Sequence, residues 1–406
     1  MTTRSAILEA QGTIPAALRT NEFDTVNTLT RNVIYENGSK DTVNANQSFK
    51  IELPMDALLN GKNIKPRLRF NAVAAGTGGS YVRFRNDIRC VFRRIRVQVG
   101  HQTVHDIDSY PEVVIPMTHY RKRAQWQSNA GYLAGWGNTT LRNSLSSGFD
   151  YEVELDGLEV LNQLLPLYRK ENRVILEFFT NDTARCIESD KSNLTLTLTD
   201  IQLIMDTIHL DDQQRIASVS RDIIIPFEAF KTQTATIGSG ITSKTIKLNA
   251  NFKDLEGIGL FFLNDANLTD PTANDALETM EQDALDTVVL KVDGNRIVHQ
   301  NGIDIGKNQG YYDAQKFWGV RPEDDSPVGY ANWDADDKFF VGIDMSTVYK
   351  HDHSKDVVGA GRPVSHNATL ELTWSSSTPA QLQCYIIYKY KSMLHYQSNG
   401  TASWDE

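Results

Sequence analysis

The chain has 406 residues, enough for two or three domains with sizeable cores, and 40% of them are hydrophobic, as in an ordinary globular protein. Its formal charge of −10 opposes wholesale wrapping of nucleic acid, and no run of 18 apolar residues exists to span a membrane as a helix. Cys90, Cys186 and Cys384 are odd in number and far apart, which excludes a disulfide framework or a metal knuckle and leaves buried thiols.

Residues 1 to about 30 form an arm with too few apolar side chains for a core, and Met1–Leu8 lacks the apolar centre of a secretion signal. Pro15 can start a short helix there. From about Thr30 the chain becomes a series of strands. Phe49, Ile51 and Leu53 alternate before Pro54, and Leu68 and Phe70 precede a loop, 74–80, whose glycines lack the lysine and spacing of a phosphate-binding loop and serve a turn. In Val91–Tyr110, Ile95, Val97 and Val99 face one way and Arg94, Arg96 and Gln98 the other. Gly100 then turns the chain into a return strand at Thr103-Val104. Pro111 to Ser147 reads as loop and short helix. Phe149–Leu155 follows as a strand, then a helical candidate at Leu158–Leu165 and a strand at Arg173–Thr180. Leu194, Leu196 and Leu198 alternate with threonines, and Ile201, Leu203 and Met205 continue on a shifted phase, which places a bulge or turn at Thr199-Asp200.

Polar Asp211–Arg215 marks a domain boundary. Beyond it come strands at Ile223–Phe227, Thr245–Leu248 and Ile258–Leu263, an acidic insertion, a hairpin at Val288–His299, and a last strand, Gln381–Tyr390, apolar on both faces like a central strand. The tail from Ser398 is expected to fray. The second hairpin repeats the first. Gly100 and His105 match Gly294 and His299 at one offset of 194, and Glu177 in Val174–Thr180 matches Glu371 in Ala368–Trp374 at the same offset, close to half the chain. This indicates two copies of one β-domain in tandem. The apolar phase before the glycine slips by one, Val99 against Val292, which requires a bulge. The expected fold is therefore all-β, with two tandem sandwiches and a few short helices in loops. The arm is 1–30, the two domains 31–210 and 211–396, and the tail 397–406.

At Asp106–Tyr110 after the hairpin, and at Leu158–Tyr168 followed by Val174–Phe178, the sequence resembles the double jelly-roll major capsid proteins of icosahedral dsDNA viruses and their relatives. The resemblance covers roughly 90–210 and, through the repeat, extends into 286–390. It implies two eight-stranded jelly rolls, homotrimers with a pseudo-hexagonal outline, and a shell of neighbouring capsomers completed by penton and minor capsid proteins. An internal membrane is a further implied partner in some lineages. The acidic insertions would be loops at the capsomer top, the location would be the virion, and no cofactor or catalytic site is implied.

Two readings from other classes stand beside it. Glu154-Leu-Asp156-Gly-Leu-Glu159 has the carboxylate spacing of jelly-roll glycoside hydrolases, whose retaining pair needs carboxyls about 5–5.5 Å apart. Gly157 stands where that motif continues its strand, which favours a structural segment. A β-sandwich attachment or carbohydrate-binding protein is the other. His351 and His353 offer two metal ligands without a third placed by sequence, so no metal is assigned. His105 and His299 suit hydrogen-bonded packing roles. Charge is uneven. Arg83, Arg85, Arg89, Arg93, Arg94 and Arg96 cluster before the turn, with Arg121, Lys122 and Arg123 beyond it. Residues 264–286 hold seven acids and 323–337 hold six. The plainer reading is solvated faces with local ion pairs. The functional one makes Arg94, Arg96, Arg121, Lys122 and Arg123 a surface that meets a neighbour or the virion interior, with the acidic insertions on an outer surface. Ile7, Leu8, Ile14 and Leu18 would do the same in the arm. The arginines lack the aromatic interleaving of a single-strand binder, and no sequence-specific nucleic-acid contact is expected.

Overall fold

The computed structural model describes residues 30–122, 126, 129–136, 144–169, 172–210, 222–273, 277, 279–281, 284–306, 309–320, 328–334, 338–346, 361–364, 367–378, 380–397 and 402–405. The arm, including Ile7, Leu8, Ile14 and Leu18, lies outside them, as do Arg123, the Asp211–Arg215 boundary, His351 and His353.

In chain order the first half carries β1 (Thr30–Asn37), β2 (Thr42–Asn44), β3 (Ser48–Glu52), β4 (Leu58–Asn60), β5 (Arg67–Thr77), β6 (Val82–Phe84), β7 (Phe92–Val99), β8 (Gln102–Ile107), α1 (Tyr110–Arg121), β9 (Phe149–Glu154), β10 (Leu164–Pro166), β11 (Val174–Thr180), β12 (Ile187–Ser189) and β13 (Ser192–His209). The second carries β14 (Ile223–Ile237), β15 (Ser243–Lys247), β16 (Phe252–Asn264), β17 (Leu285–Val292), β18 (Asn295–Arg296), β19 (Ile303–Asp304), α2 (Gln309–Trp318), β20 (Val341–Asp344), β21 (Arg362–Val364), β22 (Ala368–Trp374), β23 (Leu382–Tyr396) and β24 (Ala402–Asp405).

The strand order repeats. In the first half β1, β13, β5 and β9 lie side by side in the larger sheet, and β3, β11, β7 and β8 form the facing one. In the second, β14, β23, β16 and β20 and then β15, β22, β17 and β18 take the same order. Four strands facing four in each half is the jelly roll, and the chain is all-β with two of them in tandem. Inward side chains alternate along the strands, as in Phe49, Ile51, Ile95, Val97 and Val99. Phe49, Phe92 and Phe178 meet in the first core, with Phe49 stacked on Phe178 at 4.9 Å, and Phe261 stacks on Tyr385 at 5.4 Å in the second. The two cores are continuous, joined where Tyr120 meets Phe340 at 5.7 Å.

The expected bulge is not before the glycine, where the ladder to β11 is regular from Arg94 to Val99; the bulge of the first hairpin lies on its return strand, where Val97 pairs with His105 and Gln98 with Thr103. Val99 pairs with Val174 and Val292 with Ala368, while Glu177 and Glu371 sit at matching rungs. Both turns have two central residues. In Val99-Gly100-His101-Gln102 only the first, Gly100, has positive φ (61°), as in a type II′ turn. In Val292-Asp293-Gly294-Asn295 both do (51° and 79°), as in type I′. The glycine thus moves one place within a loop of constant length, and the phase slip is absorbed there. His105 and His299 are not equivalent either, because His299 lies in a loop between β18 and β19.

Four further expectations change. Tyr110–Arg121, at the start of a stretch read as loop and short helix, is a 12-residue helix with eleven buried residues. Pro111 suits its first turn, and burial all round erases the amphipathic period that would have revealed it. Leu158–Leu165 is not helical. Gly157 at φ 81° and a series of turns lead into β10, whose Leu164-Leu165-Pro166 pairs with β4. The tail expected to fray is paired instead: Ala402–Asp405 lies along Met393–Tyr396, and its Trp404 packs partly buried on the core. The turn expected over 74–80 is absent: Ala74–Thr77 belongs to β5, and Gly78 and Gly79, both at positive φ, carry the chain on into β6 along the same antiparallel partner, with Thr77 opposite Ser192 and Val82 opposite Ser189. The expected break at Thr199-Asp200 is present. Asp200 has φ 52°, and the ladder to β5 jumps from Thr199 to Gln202.

Candidate functional site

The carboxylate segment is locked by cations. β9 ends at Glu154, and the chain turns inward so that Asp156 is 2% exposed. Its carboxylate accepts Lys65 at 3.0 Å, Lys122 at 3.1 Å and Arg89 at 3.2 Å. Lys122 also reaches Glu154 at 2.7 Å, and Glu159 accepts from Asn162 at 3.0 Å. Arg89 is fully buried, paired with Asp87, bonded to the Thr118 hydroxyl at 2.9 Å, and set against the rings of both Trp126 and Trp136. Burial pushes the Asp156 carboxyl up, but Lys65, Lys122 and Arg89 together outweigh it and hold the group well below the usual carboxylate range. In the glycosidase reading the outer pair, Glu154 and Glu159, would be nucleophile and acid; here Glu154 is paired with Lys122 and Glu159 with Asn162. Chemically this arrangement pins the end of β9 to α1 and to the turn before β7.

On the outer face of the β3–β11–β7–β8 sheet, Arg94 and Arg96 belong to a row of alternating charge. Lys50 meets Glu177 at 3.4 Å, Glu177 meets Arg96 at 3.1 Å, and Asp106 takes Arg96 at 3.4 Å and Arg94 at 2.5 Å. Both guanidiniums lie 5.6 Å from the Phe179 ring and keep about a quarter of their side-chain surface exposed. The second sheet keeps one such pair, Lys291 with Glu371 at 2.5 Å.

Arg121 and Lys122 turn inward instead. At the end of α1, Arg121 donates to Glu228 on β14 at 2.7 Å and to the Trp318 carbonyl at 2.8 Å, lying over the rings of Phe230 and Trp318. It is a fastener between the halves. Around it, the Phe230 N–H donates to His105 Nε2 at 3.2 Å, Tyr120 donates to the Lys338 carbonyl at 3.0 Å, and the fully buried Arg85 reaches the carbonyls of Asn267 and Asp270. Sequence reasoning placed Arg85 and Arg89 on a basic surface and missed this joint. The available signal was the apolar company of Arg89 in Ile88-Arg-Cys-Val91, a poor setting for a solvated charge. Cys90, Cys186 and Cys384 are buried free thiols, as expected. Among the described residues no group of three His, Cys, Asp or Glu side chains is placed to hold a metal ion.

No family model and no curated protein matches the chain. Solved structures do. The PBCV-1 virus capsid superposes with a TM-score of 0.65 at 13% identity, over 93% of this chain and 97% of that one. The Sputnik virophage structure gives 0.62 at 11% identity, over 92% and 88%. The Faustovirus major capsid protein gives 0.61 at 8% identity, over 95% and 97%. At these identities the likeness is one of fold, and the shared fold is the double jelly roll.

Proposed function

We propose that this chain is the major capsid protein of an icosahedral virus, located in the virion and without catalytic activity. The observation that carries this reading is the match of both jelly rolls at once, over 93% of this chain and 97% of the PBCV-1 capsid chain. A chain with two similar sandwiches supplies six similar units as a trimer, and six units fill a hexagonal position in a shell. A closed trimer with large interfaces is the stable way to build one. The domains are 31–210 and 211–396, flanked by the arm 1–30 and the tail 397–406. The partners are two further copies in the capsomer, neighbouring capsomers, penton and minor capsid proteins and, in lineages that have one, an internal membrane below the shell. Arg94 and Arg96, the exposed part of the basic group, face a neighbouring capsomer, while Arg121 and Lys122 serve the chain's own joint. The cation-saturated Asp156 supports a structural role for Glu154, Asp156 and Glu159.

The experiment is light scattering with size-exclusion chromatography on purified protein, followed by electron microscopy. Trimers and shell-sized particles are expected, and a monomer that hydrolyses β-glucan in a Glu154-dependent way overturns the reading. The arm makes a separate test. One apolar side chain such as Ile7 or Leu18 gains about 1.5–3 kcal/mol on burial, while ordering costs about 1–2 kcal/mol per residue. The arm therefore needs a surface that already exists. Deleting residues 2–24 is expected to leave trimers intact and reduce the particle count. Normal shells in normal yield would remove the arm from assembly.

A further inference from the structure

Asn-Gly occurs four times in this chain, and three of the pairs are among the described residues: Asn37-Gly38, Asn60-Gly61 and Asn301-Gly302. Glycine has no side chain, so nothing shields its backbone nitrogen from the carboxamide of the asparagine before it. The fold treats the three pairs differently. The Asn37 side-chain oxygen accepts from Gln202 at 3.1 Å, and the Gly38 N–H donates to the Ile201 carbonyl at 2.9 Å. The Asn60 amide donates to the buried Asp206 at 2.8 Å, and the Gly61 N–H donates to the Gln163 carbonyl at 3.2 Å. Both pairs are therefore held on two sides by residues far away in sequence. Asn301 is exposed, and among the described residues no partner holds its amide. The Gly302 N–H donates within its own turn, to the His299 carbonyl at 3.1 Å. Glycine is nevertheless required at 302. Its φ is 81°, and an added Cβ would come within 2.7 Å of Val289 and 3.0 Å of Thr287 on β17. Packing on β17 thus imposes the glycine, and the turn leaves the asparagine before it in water.

We propose that Asn301 is a site of spontaneous deamidation, a covalent change made by the chain's own backbone and water. The Gly302 nitrogen attacks Asn301 Cγ. An N–Cγ bond forms, the Cγ–Nδ2 bond breaks, and ammonia leaves with the proton that the attacking nitrogen gives up. Water then adds to one of the two carbonyls of the resulting succinimide and breaks that carbon's bond to the ring nitrogen. One product is an aspartate. The other is an isoaspartate, whose main chain runs through the side-chain carbons and is one atom longer. The attacking nitrogen must lose its proton, so the step quickens as pH rises. The longer main chain then meets a glycine wedged on β17 and, next to it, Ile303, which pairs with Val288. The extra atom pushes β19 away from β17. The inference stands on the turn alone and is independent of the capsid reading.

The test ages full-length protein at mildly alkaline pH, folded and in denaturant, and follows its tryptic peptides by mass spectrometry. The three pairs fall in separate peptides, 32–40, 51–62 and 297–307. In denaturant all three should turn from amide to acid at similar rates, since only the dipeptide then matters. In the folded protein Asn37 and Asn60 must each break two long-range hydrogen bonds before they react. The 297–307 peptide should therefore convert at least about tenfold faster than the other two, a difference in barrier of about 1.4 kcal/mol. Asn301→Ser should abolish the change in that peptide. The aged wild type should also melt below Asn301→Asp, which supplies the new charge without the extra main-chain atom. Equal folded rates at the three sites, or a 297–307 peptide that converts in denaturant and not in the fold, overturn the proposal. An aged protein that melts together with Asn301→Asp overturns the displacement of β19.

Discussion

Asp156 illustrates how one buried carboxylate can hold three cations. Replacing it with Asn leaves Lys65, Lys122 and Arg89 facing a neutral group in a buried site, and breaking such a cluster costs about 3–5 kcal/mol. Chemical denaturation of Asp156→Asn at neutral pH should show a loss of that size. Because the folded carboxyl lies below its ordinary value, its contribution is present above the ordinary carboxylate pKa, near 3.9. It is lost as the pH falls through the depressed value, and the acid limb of the stability curve should shrink in the variant. His105 works at a milder pH. Burial pulls its imidazole down to about 4, and its unprotonated Nε2 accepts the Phe230 N–H across the joint. The unfolded chain takes up this proton near 6.5, so between there and about 4 it binds more protons than the folded one, and stability falls as pH falls. The span corresponds to roughly 3 kcal/mol at about 1.36 kcal/mol per unit. His105→Gln should flatten the slope in that window, and an unchanged slope would assign it to other groups. Neither role was readable from composition. Arg89 and Asp156 carry the same letters as surface charges, and only the packing distinguishes them.

Among the elements, the two hairpins show what a fixed offset can and cannot reveal. Glu177 and Glu371 align because β11 and β22 differ by no insertion, whereas the glycines align by type and miss by one in place. A turn needs positive φ at one or two positions, and two sequences can meet that need differently. The strands with clean alternation were legible, including the break at Asp200. The helix α1 was not, because eleven of its twelve residues are buried and no polar face exposes its period. Two glycines separate backbone freedom from space. Around Gly294 an added Cβ meets open space, so Gly294→Ala carries only the left-handed backbone cost, about 1–2 kcal/mol. At Gly61 the Cβ would collide with the Leu161 carbonyl, in the turn held by the Gly61 N–H to Gln163 bond of 3.2 Å. Gly61→Ala must push β4 from β10, and its melting temperature should drop several times further than that of Gly294→Ala. Equal drops would mean that the segment yields.

At the scale of the molecule, the two sandwiches share one continuous core and a polar seam, and they are expected to unfold together. Arg121 is the test of that coupling, since it ties α1 both to Glu228 and to the end of α2. Arg121→Ala should cost about 3 kcal/mol by leaving Glu228 with a weaker partner, Lys389 at 3.8 Å. In calorimetry its single transition should broaden or divide in two, and a sharp single transition would show that the apolar contacts suffice. The tandem plan was visible in the sequence because strand alternation and turn glycines recur locally. The joint was not, because its members lie more than a hundred residues apart, as Arg121 and Glu228 do. The pairing of β1 with β13 also sets a timetable for the nascent chain. Thr30 faces His209 and Arg31 grips Asp206, a separation of 175 residues. Ribosomes deliver about 5–20 residues per second, so the first strand waits on the order of ten seconds or more for its partner. During that interval the first sandwich lacks its central strand and shows open edges to every other nascent chain nearby. Lower growth temperatures and holding chaperones should therefore raise the soluble yield of this chain more than that of a protein built from local contacts.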